Sequence, residues 1–166
     1  DPRARNSMTP EKDNPMKIIN KRSDEADRPA IGREDFDYVH VDKSLPKALY
    51  YEKLYQVANA RGLKASIEVK TSPVSLSDGN IMPDGLCGFA WVLLPDGRKG
   101  FARWIIKNEL GNTRGGGGVW ISSKVDRKSL PTASSQSMDR NEAYAVAFSK
   151  VLKANGVDSF TESSLD

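Results

Sequence analysis

Cations and aromatic rings are interleaved over one short stretch of the chain, and these residue types can contact a nucleic acid. The stretch "GRKGFARWIIKNELGNTRGGGGVW", residues 97–120, contains two tryptophans, five cations and a run of four glycines. Rings stack on unpaired bases while Lys and Arg pair with phosphates, so the pattern is typical of a surface for single-stranded DNA or RNA. The candidate nucleic-acid-binding residues are Arg98, Lys99, Phe101, Arg103, Trp104, Lys107, Arg114, Trp120 and Lys124.

The positive charge of the chain is concentrated around these residues. The net charge is +3 overall, but residues 98–128 contain eight Lys and Arg against two Asp and Glu. Residues 1–45 contain nine against ten. Local positive charge favours an anionic partner. A structural interpretation stays open as well, because Trp and Phe in strands usually belong to the core and alternating Lys and Arg usually form the solvated face.

The glycine run, residues 115–118, raises the question of a phosphate-binding loop. Such loops follow a strand and open a helix, whereas this run precedes a predicted strand, and no Gly-Lys-Ser/Thr follows it. We interpret the run as a flexible hairpin loop, with a mobile flap that approaches a partner as the alternative.

Side chains suited to catalysis or metal binding are few. His40 is the single histidine and Cys87 the single cysteine, which excludes an internal disulfide and a cysteine-based zinc site and leaves at most one histidine base for a nucleophile. Turn chemistry and helix-terminal charge explain the acidic pairs more simply than acid–base catalysis does. These pairs are Asp84 with Asp96 and Asp139 with Glu142. Glu68 and Lys70 could mimic the acid-x-lysine motif of metal-dependent nucleases, but the solvent face of a strand explains them more simply. We therefore expect no enzyme, no cofactor and no metal.

Helical and alternating patterns define the elements that must position the candidate residues. A first helix is predicted from the Ser44 cap to Arg61, with Gly62 as its left-handed stop, followed by a strand over residues 63–70. The segments "GFAWVLL" and "GFARWIIK" flank "PDGRK" and predict a central β-hairpin.

Two further elements close the predicted fold. A fourth strand covers residues 119–125, and a last helix begins near Ser137 or Asp139 and ends at Lys153 with Asn155-Gly156. Residues 157–160, "VDSF", predict a short fifth strand. The prediction is an α+β fold of order α-β-β-β-β-α, with an antiparallel four-stranded sheet flanked by two helices.

The domain organisation follows from composition. Residues 1–43 predict a flexible N-terminal arm, in which residues 35–41, "DFDYVHV", form an edge strand or a partner-binding strip. Residues 1–7 precede Met8 and are typical of a remnant left by an expression vector. Residues 44–166 form the single α+β domain.

Two functions remain open at this point. One is a small cytoplasmic accessory protein, of the size and composition typical of phages and mobile elements, that binds nucleic acid. The other is a protein-binding regulator or inhibitor, or a virion assembly component, which acts through the arm or an exposed strand edge as a possible homodimer. No apolar run approaches the length of a membrane helix, so no membrane partner is expected.

Overall fold

Three helices and two antiparallel sheets make up residues 39–125 and 136–166, which the computed structural model describes. The predicted α+β class is therefore confirmed. Most of the predicted arm and of the strip at residues 35–41 lies outside the described residues. The elements are α1 (Lys47–Glu68), β1 (Val74–Ser75), β2 (Ile81–Met82), β3 (Gly88–Leu94), α2 (Gly100–Lys107), β4 (Asn112–Thr113), β5 (Val119–Ser122), α3 (Met138–Ala154) and β6 (Phe160–Leu165).

The larger sheet has four antiparallel strands in the order β4-β5-β3-β6. Strand β3 is central, and its Leu93 is paired with Trp120 of β5 on one side and Phe160 of β6 on the other. Strands β1 and β2 form a separate two-stranded hairpin. A four-stranded antiparallel sheet is confirmed, although β4 and β6 take the places of two predicted strands. The terminal strand predicted at residues 157–160 shares only Phe160 with β6.

Helix α1 is longer than predicted, and the strand expected over residues 63–70 is wrong. The helix continues through Gly62 to Glu68, and its last backbone bond runs from the Val69 N–H to the Ala65 carbonyl, 3.0 Å. Gly62 does not end the helix because it serves helix packing. A Cβ at this position would lie 2.7 Å from Cδ2 of Tyr144, so only glycine lets that ring lie against α1.

The second arm of the predicted hairpin is also wrong, because residues 100–107 form helix α2. Phe101, Trp104 and Ile105 follow the i, i+3, i+4 spacing of a helix, and all three are buried. The Phe101 ring meets Tyr51 of α1 edge-on at 5.8 Å. The helix ends in a Schellman motif in which Glu109 has φ 56° and the Leu110 N–H donates to the Ile105 carbonyl, 3.0 Å. The predicted strand order therefore does not hold.

Helix α3 begins and ends as predicted. The Ser137 hydroxyl accepts the Arg140 N–H at the N-terminus, and Gly156, with φ 78°, follows the C-terminal Asn155. Asn155 also accepts the Val41 N–H at 2.9 Å, which fixes the chain just before α1.

Helix α3 lies between α1 and one face of the large sheet. Its Tyr144 packs on Gly62 of α1 and its Glu142 accepts a hydrogen bond from Ser163 of β6. Ser163 is paired with Ala90 of β3, so α3 covers the sheet face to which Ala90 belongs. The buried side chains of β3, Ala90, Val92 and Leu94, belong to this inner face.

Candidate nucleic-acid interface

The sheet face opposite α3, here called the outer face, carries a set of aromatic side chains. Strand alternation turns Phe89, Trp91 and Leu93 away from the helices, and none of the three is buried. The register adds side chains from both neighbouring strands, since residues paired in a sheet share a face. The outer face consists of Phe89, Trp91, Leu93, Asn112, Trp120, Ser122, Phe160, Glu162 and Ser164.

The rings of the outer face form a continuous row across β3 and β5. The Phe89 and Trp91 centroids are 6.4 Å apart, and Trp91 and Trp120 are 5.4 Å apart. Phe89 is 46% exposed and Phe160 on β6 is 56% exposed, while both tryptophans are half-buried. Half-buried tryptophans are held in place by their neighbours and still offer ring surface, which suits stacking of a flat ligand.

Arg114 connects this row to β6, the strand at the opposite edge of the sheet. Its guanidinium carbon lies 5.1 Å from the Trp120 ring centroid, and its Nη1 donates to Oε1 of Glu162 on β6 at 2.9 Å. Both charged side chains are more than one-third exposed, so the ion pair is a weak, salt-sensitive contact. An anion that approaches the outer face can therefore compete for Arg114.

A pocket of about 340 Å³ lies beside this arrangement, between α2 and the β4–β5 hairpin. Three cationic residues, Arg103, Lys107 and Arg114, line it, and the lining includes no acidic residue. We call it the cation pocket. Its lining residues are Gly97, Arg103, Ile106, Lys107, Thr113, Arg114, Gly117, Gly118 and Val119.

The glycine run forms the tight turn of the β4–β5 hairpin and closes one end of the pocket. The Gly117 N–H donates to the Arg114 carbonyl at 3.1 Å, and the Arg114 N–H donates to the Gly118 carbonyl at 2.8 Å. Gly116 and Gly117 have φ values of 99° and 98°, which disfavour other residues. The predicted hairpin loop leading into a strand is thus confirmed.

The predicted site residues separate into three groups. Phe101 and Trp104 are 3% and 8% exposed and pack against α1, so their rings do not lie on the strand surface where they were expected. Arg103 and Lys107 meet Arg114 at the cation pocket, although they lie on a helix rather than on the sheet face that was expected.

The remaining predicted residues lie around these two surfaces. Trp120 belongs to the outer face. Lys99 and Lys124 are exposed but do not line the pocket. Arg98 is 92% exposed and is held by Asp96, whose side chain accepts from its Nε at 3.0 Å. That hydrogen bond, with a second from the Arg98 backbone, keeps the pKa of Asp96 below its usual value.

Sequence reasoning missed the residues that contribute most to the outer face. Phe89, Trp91 and Phe160 were absent from the predicted site. Their alternation in "GFAWVLL" was a usable signal, since it separates two faces of one strand. Residues 100–107 form a helix, and α3 packs on the inner face of the sheet, so α3 does not cover these rings.

Both acidic pairs considered for catalysis have structural partners. Asp84 pairs with Arg140 at 3.1 Å, and Arg140 also donates to the Ser66 carbonyl at 2.6 Å near the end of α1. Asp139 accepts the Ser72 N–H at 2.8 Å. Within residues 39–125 and 136–166, no three His, Cys, Asp or Glu side chains are grouped so that they could hold a metal ion.

Comparison with protein families, with curated proteins and with solved structures gives no match. Each helix in the described part of the chain is too short or too polar to cross a lipid bilayer. Function is therefore inferred from the outer face and the cation pocket, since a fold class by itself does not define one.

Proposed function

We propose that this chain binds single-stranded DNA or RNA, with bases stacked on the outer face of its large sheet. The observation that supports this most is the contact between Trp91 and Trp120, 5.4 Å apart on a face that α3 does not cover, with Arg114 over the second ring. Sheets that present aromatic rings in this way stack two or three bases of a single strand.

The outer face has the chemistry that a single strand needs. Each base stacked on an aromatic side chain contributes about 1–3 kcal/mol, independently of base identity. The rings of Phe89, Trp91 and Trp120 follow one another in a row, so adjacent bases have adjacent platforms. The bases of a duplex are stacked on one another inside the helix, so they cannot stack on the rings of the outer face.

The test is fluorescence anisotropy of labelled single-stranded DNA, single-stranded RNA and duplex DNA over a salt series. We expect single strands to bind more tightly than the duplex and their affinity to fall log-linearly with salt. Trp91→Leu should weaken single-strand binding by roughly fivefold or more, since it removes one stacking platform. Tyr50→Leu, which removes a half-buried ring from α1 instead, is the matched control.

Two results would contradict the proposal. One is the absence of binding to either single strand at low salt. The other is an equal effect of Trp91→Leu and Tyr50→Leu on affinity, which would show that binding does not depend on the outer face. Circular dichroism of both variants establishes that each is folded before its affinity is compared.

Strand β6 supports the second candidate, a protein-binding regulator, inhibitor or assembly component. It is the outermost strand of the sheet, six residues long, and its Phe160 and Leu165 are more than half exposed. An edge of this kind can accept a strand from a partner or from a second copy of the chain. Sedimentation that shows a salt-stable dimer, together with no binding to DNA or RNA, would favour this function.

A further inference from the structure

We infer that the cation pocket holds one phosphate group of the bound strand, beside the bases that stack on the outer face. This inference rests on the proposed function and deepens it, since it assigns separate places to the backbone and the bases. The pocket is formed by α2 on one side and by the β4–β5 hairpin on the other.

The first argument is electrostatic. Arg103 and Lys107 lie four residues apart on α2, so their side chains lie on the same side of the helix, and both residues line the pocket. Neither has an ion-pair partner within residues 39–125 and 136–166. Two neighbouring cations without an ion-pair partner repel each other, and an anion between them relieves that repulsion. Lys107 also lies in the last turn of α2, where the helix dipole favours a cation, but the dipole does not account for Arg103 or Arg114.

The second argument is access. Three glycines, Gly97, Gly117 and Gly118, form part of the lining, so no side chain from these positions blocks the approach of a ligand to the backbone. Only glycine fits at position 97, because a Cβ there would lie 2.6 Å from the Gly117 carbonyl oxygen of the hairpin turn. A volume of about 340 Å³ lies at the lower end of the range for small-ligand sites and has room for a phosphate with its sugar.

The third argument is the position of Arg114, which belongs to both surfaces. It lines the pocket and also lies 5.1 Å from the Trp120 ring centroid. A guanidinium can stack on an aromatic ring and donate to a phosphate from the same plane. A strand that runs from the outer face to the pocket would therefore pass Arg114, and its phosphate can replace the exposed ion pair of Arg114 with Glu162.

The inference separates the candidate cations of this region. Only Arg103, Lys107 and Arg114 anchor the phosphate, whereas Lys99 and Lys124 contribute through long-range attraction. A nucleoside monophosphate should thus occupy the pocket, and the corresponding nucleoside should not.

The first experiment compares adenosine monophosphate, adenosine and inorganic phosphate as probes in amide nuclear magnetic resonance spectra of the ¹⁵N-labelled chain. We expect the monophosphate and phosphate to shift the amides of residues 115–118 and of α2, and adenosine to leave them unchanged. These shifts should vanish in the double variant Arg103→Gln/Lys107→Gln. Equal shifts with adenosine, or shifts that persist in the double variant, would overturn the inference.

The second experiment measures single-stranded oligonucleotide affinity for that double variant against salt. We expect the affinity at low salt to fall roughly tenfold, which corresponds to one charge-assisted hydrogen bond. The slope of log affinity against log salt should become shallower by about 0.7 for each phosphate that the variant no longer neutralises. The matched control is Lys47→Gln/Lys150→Gln, which removes two exposed cations from α1 and α3.

The outcomes distinguish the two proposals. Equal decreases in affinity for the pocket variant and its control, with Trp91→Leu still weakening the complex, would overturn the phosphate anchor and leave the stacking surface supported. If the wild-type chain binds no oligonucleotide, the proposed function is overturned. The proposed role of the pocket in holding a strand is then overturned as well. A decrease confined to the pocket variant and to Trp91→Leu supports both.

Discussion

Replacing Gly62 with alanine tests the contact that fixes α1 against α3. Gly62 is buried in the middle of α1, and a Cβ there would lie 2.7, 2.8 and 3.0 Å from Cδ2, Cε2 and Cγ of Tyr144. The tyrosine is fully buried, and its hydroxyl donates to Asn59 of α1, so the ring cannot move aside easily. Gly62→Ala therefore forces the two helices apart.

The expected effect combines two opposing terms. Overpacking a buried site costs about 1–3 kcal/mol, and three close contacts with a fixed ring place Gly62 near the upper end. Alanine recovers about 1 kcal/mol over glycine through its helix propensity. We expect Gly62→Ala to lower the free energy of unfolding by about 2 kcal/mol.

Urea denaturation followed by circular dichroism measures this change. Gly115→Ala is the control, because a Cβ at that position meets nothing within 4 Å, and it should leave stability within about 0.5 kcal/mol. A double-mutant cycle with Tyr144→Leu should show that Gly62→Ala costs less once the ring is gone. If the cost is unchanged in the Tyr144→Leu background, the packing argument is refuted, and an effect on the end of the helix would explain it instead.

Three further predictions concern stability, binding and pH. Glu109→Gly should raise the free energy of unfolding by about 1 kcal/mol, measured in urea, because glycine adopts φ 56° without strain; an unchanged stability would contradict this. Glu162→Gln should tighten single-strand binding about threefold in the anisotropy assay by freeing Arg114, whereas Glu68→Gln on α1 should not; equal effects would contradict a local role. Burial, with a smaller contribution from Tyr55, raises the pKa of Tyr144 well above 10.0, so the native state keeps a proton that the unfolded chain loses. Stability is thus expected to be retained below pH 10.0 and to fall as the pH rises above it; urea titrations should show a shallower fall in Tyr144→Phe, and an identical fall would contradict this.

Some elements could be predicted from the sequence because residues close to them in the chain determine where they begin and end. The ends of α3 are set by residues next to the helix: the Ser137 hydroxyl at one end and Asn155 with Gly156 at the other. Strand β3 could be recognised from its bounded apolar run, and the glycine run at residues 115–118 correctly predicted a hairpin turn. These features depend on neighbours within a few residues along the chain.

The errors arose where distant residues decide the structure. From its neighbours in the sequence, Gly62 is expected to end the helix. It lies within the helix instead, because the Tyr144 ring of α3 packs against it. The segment at residues 100–107 is apolar at both odd and even positions, so it fits a strand as well as a helix. Its packing against Tyr51 decides in favour of the helix.

The same long-range effect explains the partial prediction of the candidate site. Cations at Arg103, Lys107 and Arg114 were identified by composition, and all three residues line one pocket. The aromatic set was misassigned, because exposure of Trp91 depends on which sheet face α3 covers. Sequence patterns separate the two faces of a strand without telling which one is covered.

Tryptophan fluorescence tests the stacking surface most directly, because the three tryptophans of the chain lie in two environments. Trp91 and Trp120 belong to the outer face, whereas Trp104 is buried against α1. We predict that a single-stranded oligonucleotide changes the emission of the wild-type chain as it binds. In Trp91→Phe/Trp120→Phe, which keeps rings on the face, binding seen by anisotropy should persist while the remaining Trp104 emission stays constant. Binding that leaves the wild-type emission unchanged, or that changes it equally in the double variant, would contradict stacking on the outer face.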